Sequence, residues 1–590
     1  MKDIRLRLKD GPLLFDGGMA SCFAEKFPGE RCEPASLTRP EEIAAIHRAY
    51  LNAGAQALKT NTYGLGADFA GDREEDAKDI IQAACRLALD AAGDRAYVFA
   101  DIGPAPEDRA LSRGENYIRQ ADCFLAQGLR HFLLETLPSH EGVGELARYV
   151  KEKAPDSFLI VSFAVSSDGV TCEGRSGREL FRWAADNPEI DAVGFNCMSG
   201  PHHLLEYIRR LDLEGVTLSV MPIAGYPTVL GRRMVYQGTP HYFGEKLAEI
   251  ARTGAAIVGG CCGAAPDHIA AAAEALRTAP RPRAAVHPAA AEHPHPLPAA
   301  NTLAEKLDRG QRVVAVELDP PVDDGVDFFL DGVQAIRNAG ADAVTIADCP
   351  VGRPRADSSL LACKIKRELG VEPLPHMTCR DRNLNAAKAL LLGLSIEGVH
   401  NILLVTGDPI PSQDRDEVKS VFNFNSRKLT RYVAALNAET LRVPFRIFGA
   451  LNVNAKNFAI QLRIAQEKEA CGVTGFLTQP VLSQEALDNL RLAKETLRGK
   501  ILGGVYPVVS YNNACFLNNE IAGMRIAPEI VSLYEGKDRE AAEELAVTIS
   551  LRAAKAMEPY TDGLYLMTPF KRVALITRIL EELKGQSQCG

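Results

Sequence analysis

Cys261 and Cys262 stand side by side in the run GGCCG, and Cys197 lies upstream in GFNC. Three thiolates brought to one point would hold zinc at Zn–S distances near ~2.3 Å and leave a fourth tetrahedral position open. An open position points to catalysis rather than to a structural knuckle, because an incoming thiol can complete the coordination. Zinc would stabilise that thiol as a thiolate despite an ordinary pKa of about 8.5, each unit of lowering being worth about 1.4 kcal/mol. A sulfur nucleophile of this kind accepts a methyl group, with the metal acting as substrate activator and doing no redox work. Cys22, Cys32, Cys85, Cys123 and Cys172 lack such placement and are expected to be small packing residues, as are Cys379 and Cys471.

A second constellation follows much later. Glu317 sits in VELDPP, His376 and Thr378 in HMTC, Asp408 in TGDP, Lys468 in EKEACG and Gln479 in FLTQP. A flavin site needs an apolar cavity, polar groups that read the isoalloxazine and donors for phosphate. This set offers them without a GxGxxG strand-to-helix turn.

Both constellations need scaffolding that brings distant segments to one edge. In the first half, apolar runs recur as PLLFDGG, AQALKTNTYG, YVFADIG, HFLLET, FLIVSFAVSSDG, AVGFNCMSGP, TLSVMPIAG and AAIVGGCCG, separated by amphipathic stretches such as EEIAAIHRAYLNAG and DHIAAAAEALR. Eight strands alternating with helices predict a β/α barrel. Asp16, Thr60, Asn61, Glu135, Asn196, Cys197, Cys261 and Cys262 then fall at the C-terminal strand ends, the catalytic edge of such a barrel. The pattern repeats as VVAVELDPP, ADAVTIAD, EPLPHMTC, NILLVTGD, FRIFGALN, VTGFLTQP, LGGVYPVVS and GLYLMTP, again with polar ends, Tyr565 among them. The fold class expected is α/β: two β/α eight-stranded barrels, residues 1–277 and 303–590, joined by a proline-rich linker at 278–302. His287, His293 and His295 fall in that linker and read as incidental. A doubly wound sheet fits less well, because it would gather ligand groups at one switch point.

The 590 residues suffice for two cores of about 250 residues each. A net charge of -9 gives no general basis for nucleic-acid binding. No apolar run reaches transmembrane length, the N-terminus lacks a secretory pattern, and the 14 dilute cysteines do not resemble a disulfide framework, so the expected address is cytoplasmic and off the membrane. Homo-oligomerisation through barrel faces is compatible with this reading.

With DGGM, NTYG, LLET, GFNC followed by SGP, and GGCCG before PDHI, residues 8 to 275 resemble the homocysteine S-methyltransferase family. The resemblance implies that Cys197, Cys261 and Cys262 bind zinc, that homocysteine sulfur completes the coordination, and that Asp16 and Glu135 hold the amino-acid portion; Thr60, Asn61 and Asn196 are further substrate-binding candidates. The same motifs are similar to the homocysteine-binding module of cobalamin-dependent methionine synthases. The methyl donor stays open between S-methylmethionine, S-adenosylmethionine, another small donor and a separate corrinoid protein carrying methyl. Met19-Ala20-Ser21 lacks a glycine common after the first motif in that family.

Residues 304 to 580 resemble the methylenetetrahydrofolate reductase family through VELDPP, HMTC, TGDP and GFLTQP in order. That resemblance implies FAD, NADH or NADPH as reductant, and reduction of 5,10-methylenetetrahydrofolate to 5-methyltetrahydrofolate. Glu317 becomes the general acid, Asp408 a group near flavin and pterin, Gln479 the pterin reader, and His376, Thr378, Asp408 and Lys468 FAD contacts. Thr406 stands where many bacterial relatives carry arginine, and LYLMTPF replaces a more familiar ending. A second reading makes this half a folate-binding regulatory domain lacking reductase turnover.

Overall fold

The computed structural model describes residues 1–106, 111–230, 233–236, 238–278, 301–408, 421–521 and 523–588. The proline-rich stretch beyond Thr278, with His287, His293 and His295, lies outside the described residues. The chain divides into two compact units, Met1–His293 and Pro294–Gly590.

In the first unit the strands are β1 (Leu13–Leu14), β2 (Ala57–Lys59), β3 (Tyr97–Ile102), β4 (His131–Leu137), β5 (Phe158–Phe163), β6 (Ala192–Asn196), β7 (Leu218–Met221), β8 (Pro227–Leu230), β9 (Arg233–Tyr236) and β10 (Ile257–Val258). Eight of them pair in the order β1-β10-β7-β6-β5-β4-β3-β2, all parallel. The ring closes where Phe15 bridges Ala57 and the Asp16 amide donates to the Ala57 carbonyl at 3.0 Å. Strands β8 and β9 form an antiparallel pair inserted between β7 and β10, an element the periodicity does not announce.

In the second unit β11 (Val313–Glu317), β12 (Ala343–Ile346), β13 (Pro373–Thr378), β14 (Asn401–Val405), β15 (Arg446–Leu451), β16 (Gly475–Pro480), β17 (Lys500–Val505) and β18 (Gly563–Met567) form a closed parallel barrel in sequence order. Both expected series of eight strands are therefore present.

Parallel strands need crossovers, and amphipathic helices supply them. Helix Glu74–Ala92 is typical: Ala77, Ile80, Ile81, Ala84, Cys85 and Ala88 repeat at helical spacing and are buried, while its first turn carries Glu74, Glu75 and Asp76. Inside each barrel, side chains two apart on a strand share the interior face. Leu13, Phe15, Ala57, Phe99, Leu133, Ile160, Ala192, Met221 and Ile257 fill the first interior, and Ile4 of the short helix Ile4–Arg7 packs with them. Val313, Ala315, Leu374, Leu403, Phe448, Leu477, Leu502 and Tyr565 fill the second, joined by Leu303 and Leu307 of helix Thr302–Asp308. Each interior is packed by apolar layers, and polar side chains on the inward register flank them at both ends, His131 and Asn401 at the N-terminal side and the site residues at the C-terminal mouth. No described helix is long and apolar enough to cross a membrane.

Candidate active sites

At the mouth of the first barrel the sulfurs of Cys197, Cys261 and Cys262 lie within 4.8 Å of one another. Cys197 and Cys262 Sγ are 3.7 Å apart, and a tetrahedron with ~2.3 Å metal–sulfur bonds has edges of about 3.8 Å. Three thiols this close cannot all ionise unaided. Hydrogen bonding to Cys197 and Cys262, together with burial, holds the Cys261 thiol well above its usual range; a divalent cation reverses that balance and deprotonates its ligands. The donor set fits a thiolate-binding metal.

Local backbone aims these sulfurs. Cys197 and Met198 take positive φ, 56° and 50°, directly after β6, a strained conformation that persists only where surrounding contacts impose it. The Cys197 amide bonds the Met221 carbonyl at 3.1 Å and the Ser199 hydroxyl bonds the Val165 carbonyl at 2.8 Å. Gly263 follows the cysteine pair at φ 74°, and a Cβ there would come within 2.3 Å of the Tyr236 ring, so only glycine fits.

Around the sulfurs lies a buried charge nest. Lys59, Asp101 and Glu135 sit two residues beyond the interior Ala57, Phe99 and Leu133, one layer nearer the mouth. Lys59 Nζ approaches Glu135 Oε2 at 3.5 Å and the Gly260 carbonyl at 3.4 Å, while its backbone amide donates to Asp16 Oδ2 at 3.0 Å. Burial alone would lower the Lys59 pKa, but Glu135 and Asp16 outweigh it and hold the group charged. Burial raises Asp16 to about 7 against the opposing pull of Lys59. It raises Asp101 too, reinforced by Glu135. Asp16 Oδ1 and Asp101 Oδ1 are buried with no hydrogen-bond partner. One ammonium thus faces three buried carboxylates, all of which burial pushes toward the protonated form.

Glu135 is not at the end of β4 but inside it, at a register irregularity between Leu134 and Leu137 where Thr136 has φ 61°. Asn196 locks this bulge: its Oδ1 accepts from the Thr136 amide at 2.7 Å, and its Nδ2 reaches Glu135 Oε2 at 3.3 Å and Cys261 Sγ at 3.7 Å. Thr60 and Asn61 both make hydrogen bonds within the barrel. The Thr60 hydroxyl accepts from the Asp101 amide at 3.0 Å, and Asn61 Nδ2 donates to the Cys32 carbonyl at 2.7 Å and Ser36 Oγ at 3.0 Å. Sequence reasoning missed Lys59 and Asp101; the signal available was their inward phase on β2 and β3. A cavity of about 420 Å³ lies beside the metal loops, lined by Gly200, His203, Ala224, Tyr226 and Tyr242; the Ala224 amide bonds the Cys262 carbonyl at 3.0 Å.

Among the other cysteines, Cys32, Cys85, Cys379 and Cys471 are buried, Cys22 and Cys123 are half-buried and Cys172 is exposed, so packing does not account for Cys172. No disulfide forms among the described residues.

In the second barrel, Glu317, His376 and Tyr565 converge from β11, β13 and β18. The Tyr565 hydroxyl donates to Glu317 Oε2, and His376 Nε2 stands 3.7 Å from that oxygen. Burial raises Glu317 to about 7, helped by Asp319 and opposed by the Tyr565 hydrogen bond. Burial also lowers His376 to about 4, so the imidazole is neutral at pH 7 and its approach to Glu317 is no ion pair. His376 Nε2 and Thr568 Oγ1 are buried polar atoms lacking partners. Thr378 is fixed by Asp348, whose Oδ2 accepts from its amide and hydroxyl at 3.0 Å each and from Arg382 Nη1 at 2.9 Å. Lys468 Nζ bonds the Ala450 carbonyl at 2.8 Å, and burial with nearby Arg427 lowers its pKa to about 8. Asp408 lies further out and exposed, its carbonyl accepting from Arg380 Nη1 at 3.0 Å. The half-buried Gln479 side chain packs near Gly523. Unpartnered polar atoms of His376 and Thr568 beside the Glu317 carboxyl and the Lys468 ammonium fit a polar heterocyclic cofactor.

Comparison with known families matches residues 13–276 to Homocysteine S-methyltransferase and residues 302–584 to Methylenetetrahydrofolate reductase. The methionine synthase of Mycobacterium leprae (strain TN) is 30% identical over 303 residues, 46% of this chain and 24% of that protein. That of Mycobacterium tuberculosis is 30% identical over 308 residues, 47% of this chain and 25% of that protein. The chain therefore spans about a quarter of the length of these curated relatives. Among solved structures, the metallated homocysteine methyltransferase of Escherichia coli matches with a TM-score of 0.37 at 22% identity, covering 46% of this chain and 99% of that one. Its oxidised form gives 0.39 at 24%, covering 47% and 100%.

Proposed function

The chain has the two-domain architecture of a homocysteine S-methyltransferase joined to a methylenetetrahydrofolate reductase, and on that premise we propose that the first barrel methylates homocysteine on zinc while the second reduces 5,10-methylenetetrahydrofolate with FAD and NADH or NADPH. The observation that carries the first assignment is the convergence of three sulfurs beside a nest with more carboxylates than Lys59 neutralises.

Cys197, Cys261 and Cys262 hold the zinc, which when bound supplies a Lewis acid favouring the ionised form of the substrate thiol. Asp16 and Glu135 take the α-ammonium of homocysteine, the cation that the unpartnered Asp16 Oδ1 lacks. Lys59 and Asn196 orient Glu135 by fixing Oε2, so its other oxygen faces the substrate. Thr60 and Asn61 act indirectly, tying the end of β2 to β3 and to the segment around Cys32. The homocysteine sulfur forms the new bond to the methyl carbon, and the donor atom departs with the former bonding pair. The cavity beside Ala224 gives a small donor, or a methyl-carrying corrinoid on another protein, a route to that sulfur.

In the second barrel His376, Thr378, Asp408 and Lys468 hold FAD, which when bound supplies the hydride chemistry. Glu317 is the proton donor: burial keeps it partly protonated near neutrality, so it can protonate the bridging amine of the folate and open the five-membered ring to an iminium. Gln479 and Asp408 read the pterin. The residues between the barrels, 278–302, serve as linker.

The test is a matched assay of zinc- and FAD-loaded protein. Homocysteine is offered with S-methylmethionine, S-adenosylmethionine, methyltetrahydrofolate or a methylcorrinoid protein, and methylenetetrahydrofolate with NADH or NADPH. Methionine formation that persists in a Cys261→Ser chain stripped of zinc would remove the first assignment. FAD that no nicotinamide bleaches would replace the second by a folate-binding regulatory role.

A further inference from the structure

We propose that Tyr565 is a positioning residue for the reductase acid: by donating its phenolic hydrogen to Oε2 of Glu317, it makes Oε1 the oxygen from which the proton is delivered. The inference rests on the reading of Glu317 as proton donor.

Strands β11 and β18 are neighbours, with Ala315 beside Tyr565 and Glu317 beside Met567. Tyr565 and Glu317 share the interior face. The phenol is buried among apolar side chains of the barrel interior, and burial next to Glu317 holds its ionisation well above the usual value. It is therefore a permanent donor at working pH. A carboxylic acid protonated on Oε2 would confront the phenolic hydrogen with its own, whereas protonation on Oε1 keeps the Tyr565 bond intact. In the step itself the Glu317 Oε1–H bond breaks, an N–H bond forms on the substrate amine, and the electrons of the breaking C–N bond are supplied by the ring's remaining nitrogen as the iminium forms. The proton leaves behind a carboxylate, whose Oε2 charge the phenol stabilises.

The other groups facing Glu317 do not take this role. Asp319, two residues beyond the end of the same strand, raises the acid's affinity for its proton and is itself drawn to Arg355 at 3.7 Å. His376, from β13, is neutral and too distant for a hydrogen bond. Thr345, from β12, lies by the phenol, and Tyr506, beyond β17, is turned to Asn513.

The experiment uses the full FAD-loaded chain. The pH profile of kcat/KM for methylenetetrahydrofolate is recorded for wild type, Tyr565→Phe and Tyr565→His, with bound FAD as the check that the barrel has folded. Loss of the donor raises the Glu317 pKa, so Tyr565→Phe should move the alkaline limb upward by about one pH unit and lower the plateau by about tenfold through misdirected protons. Tyr565→His, which restores a donor, should bring the limb back. In parallel, the Glu317 carboxyl titration is read as an infrared difference against Glu317→Gln, with and without the phenylalanine; it should rise equally and needs no turnover. A phenylalanine variant whose carboxyl titrates as in wild type overturns the inference. A wild-type chain that shows the titration but reduces no methylenetetrahydrofolate overturns only the reductase reading.

Discussion

Replacing Lys59 by methionine tests whether the nest beneath the sulfurs works by charge. The substitution keeps the stem and removes an ammonium whose side chain is 6% exposed, 3.5 Å from Glu135 and 3.4 Å from the Gly260 carbonyl. Breaking a buried pair by deleting one partner costs about 3–5 kcal/mol, because the other charge is stranded. Both contacts are long and the stranded carboxylates can take up protons, so the lower end, about 3 kcal/mol, is expected. Substrate binding should suffer separately: a protonated Asp16 or Glu135 no longer pairs with the homocysteine ammonium, and a hydrogen bond to a charged group is worth about 1.5–3 kcal/mol, or about 10- to 150-fold in kcat/KM. Because the sulfurs are untouched, zinc stoichiometry should hold. The assays are urea unfolding of the zinc-loaded chain, metal analysis, and kinetics with homocysteine varied against whichever donor wild type uses. A variant within about 0.5 kcal/mol of wild type and unchanged in KM for homocysteine would mean that Lys59 only fills space.

Cys261→Ser removes one sulfur from the cluster and should abolish stoichiometric zinc binding together with homocysteine methylation, checked by metal analysis, while leaving flavin reduction intact. Gly263→Ala forces a side chain toward the Tyr236 ring at a positive φ; zinc retention should fall and thermal unfolding of the first barrel should move several degrees lower, about 1–3 kcal/mol. Glu317→Gln preserves size but carries no deliverable proton, so methylenetetrahydrofolate reduction should fall by about 10²–10⁴-fold while NADH or NADPH still bleaches the flavin. With Glu317 raised to about 7 by burial, its acid form, and with it kcat/KM for methylenetetrahydrofolate, should be full below that pH and decline above it; a rate flat from pH 6 to 9 would contradict the acid role.

Both barrels were legible as two series of eight apolar runs, and the thiol cluster as GFNC and GGCCG at predicted strand ends. Less legible was the charge nest. Lys59 in ALKTN looks like a surface residue terminating a strand, and only its inward register beside Ala57 shows that it is buried. Glu135, expected at a strand end, lies two residues before the last residue of β4 and shares the inward phase of Leu133, within a register irregularity that Asn196 holds. Asn61, grouped with the substrate contacts from its motif, has its side-chain nitrogen bonded to the Cys32 carbonyl and Ser36 Oγ, partners its motif does not announce.

Sequence alone determined the alternation of strands and helices, the apolar phase that points each strand inward, and the residue types able to bind metal or carry protons, since these follow from local period and side-chain chemistry. Tertiary structure decided which of those groups meet. Tyr565 and Glu317 are 248 residues apart and become partners only because β18 closes against β11; the sulfurs of Cys197 and Cys261 meet because β6 and β10 both pair with β7, which brings the loops after them to one mouth. Ring closure is a cooperative, long-range property, so the contacts it creates, and the proton affinities that burial there imposes, have no local signature in the chain.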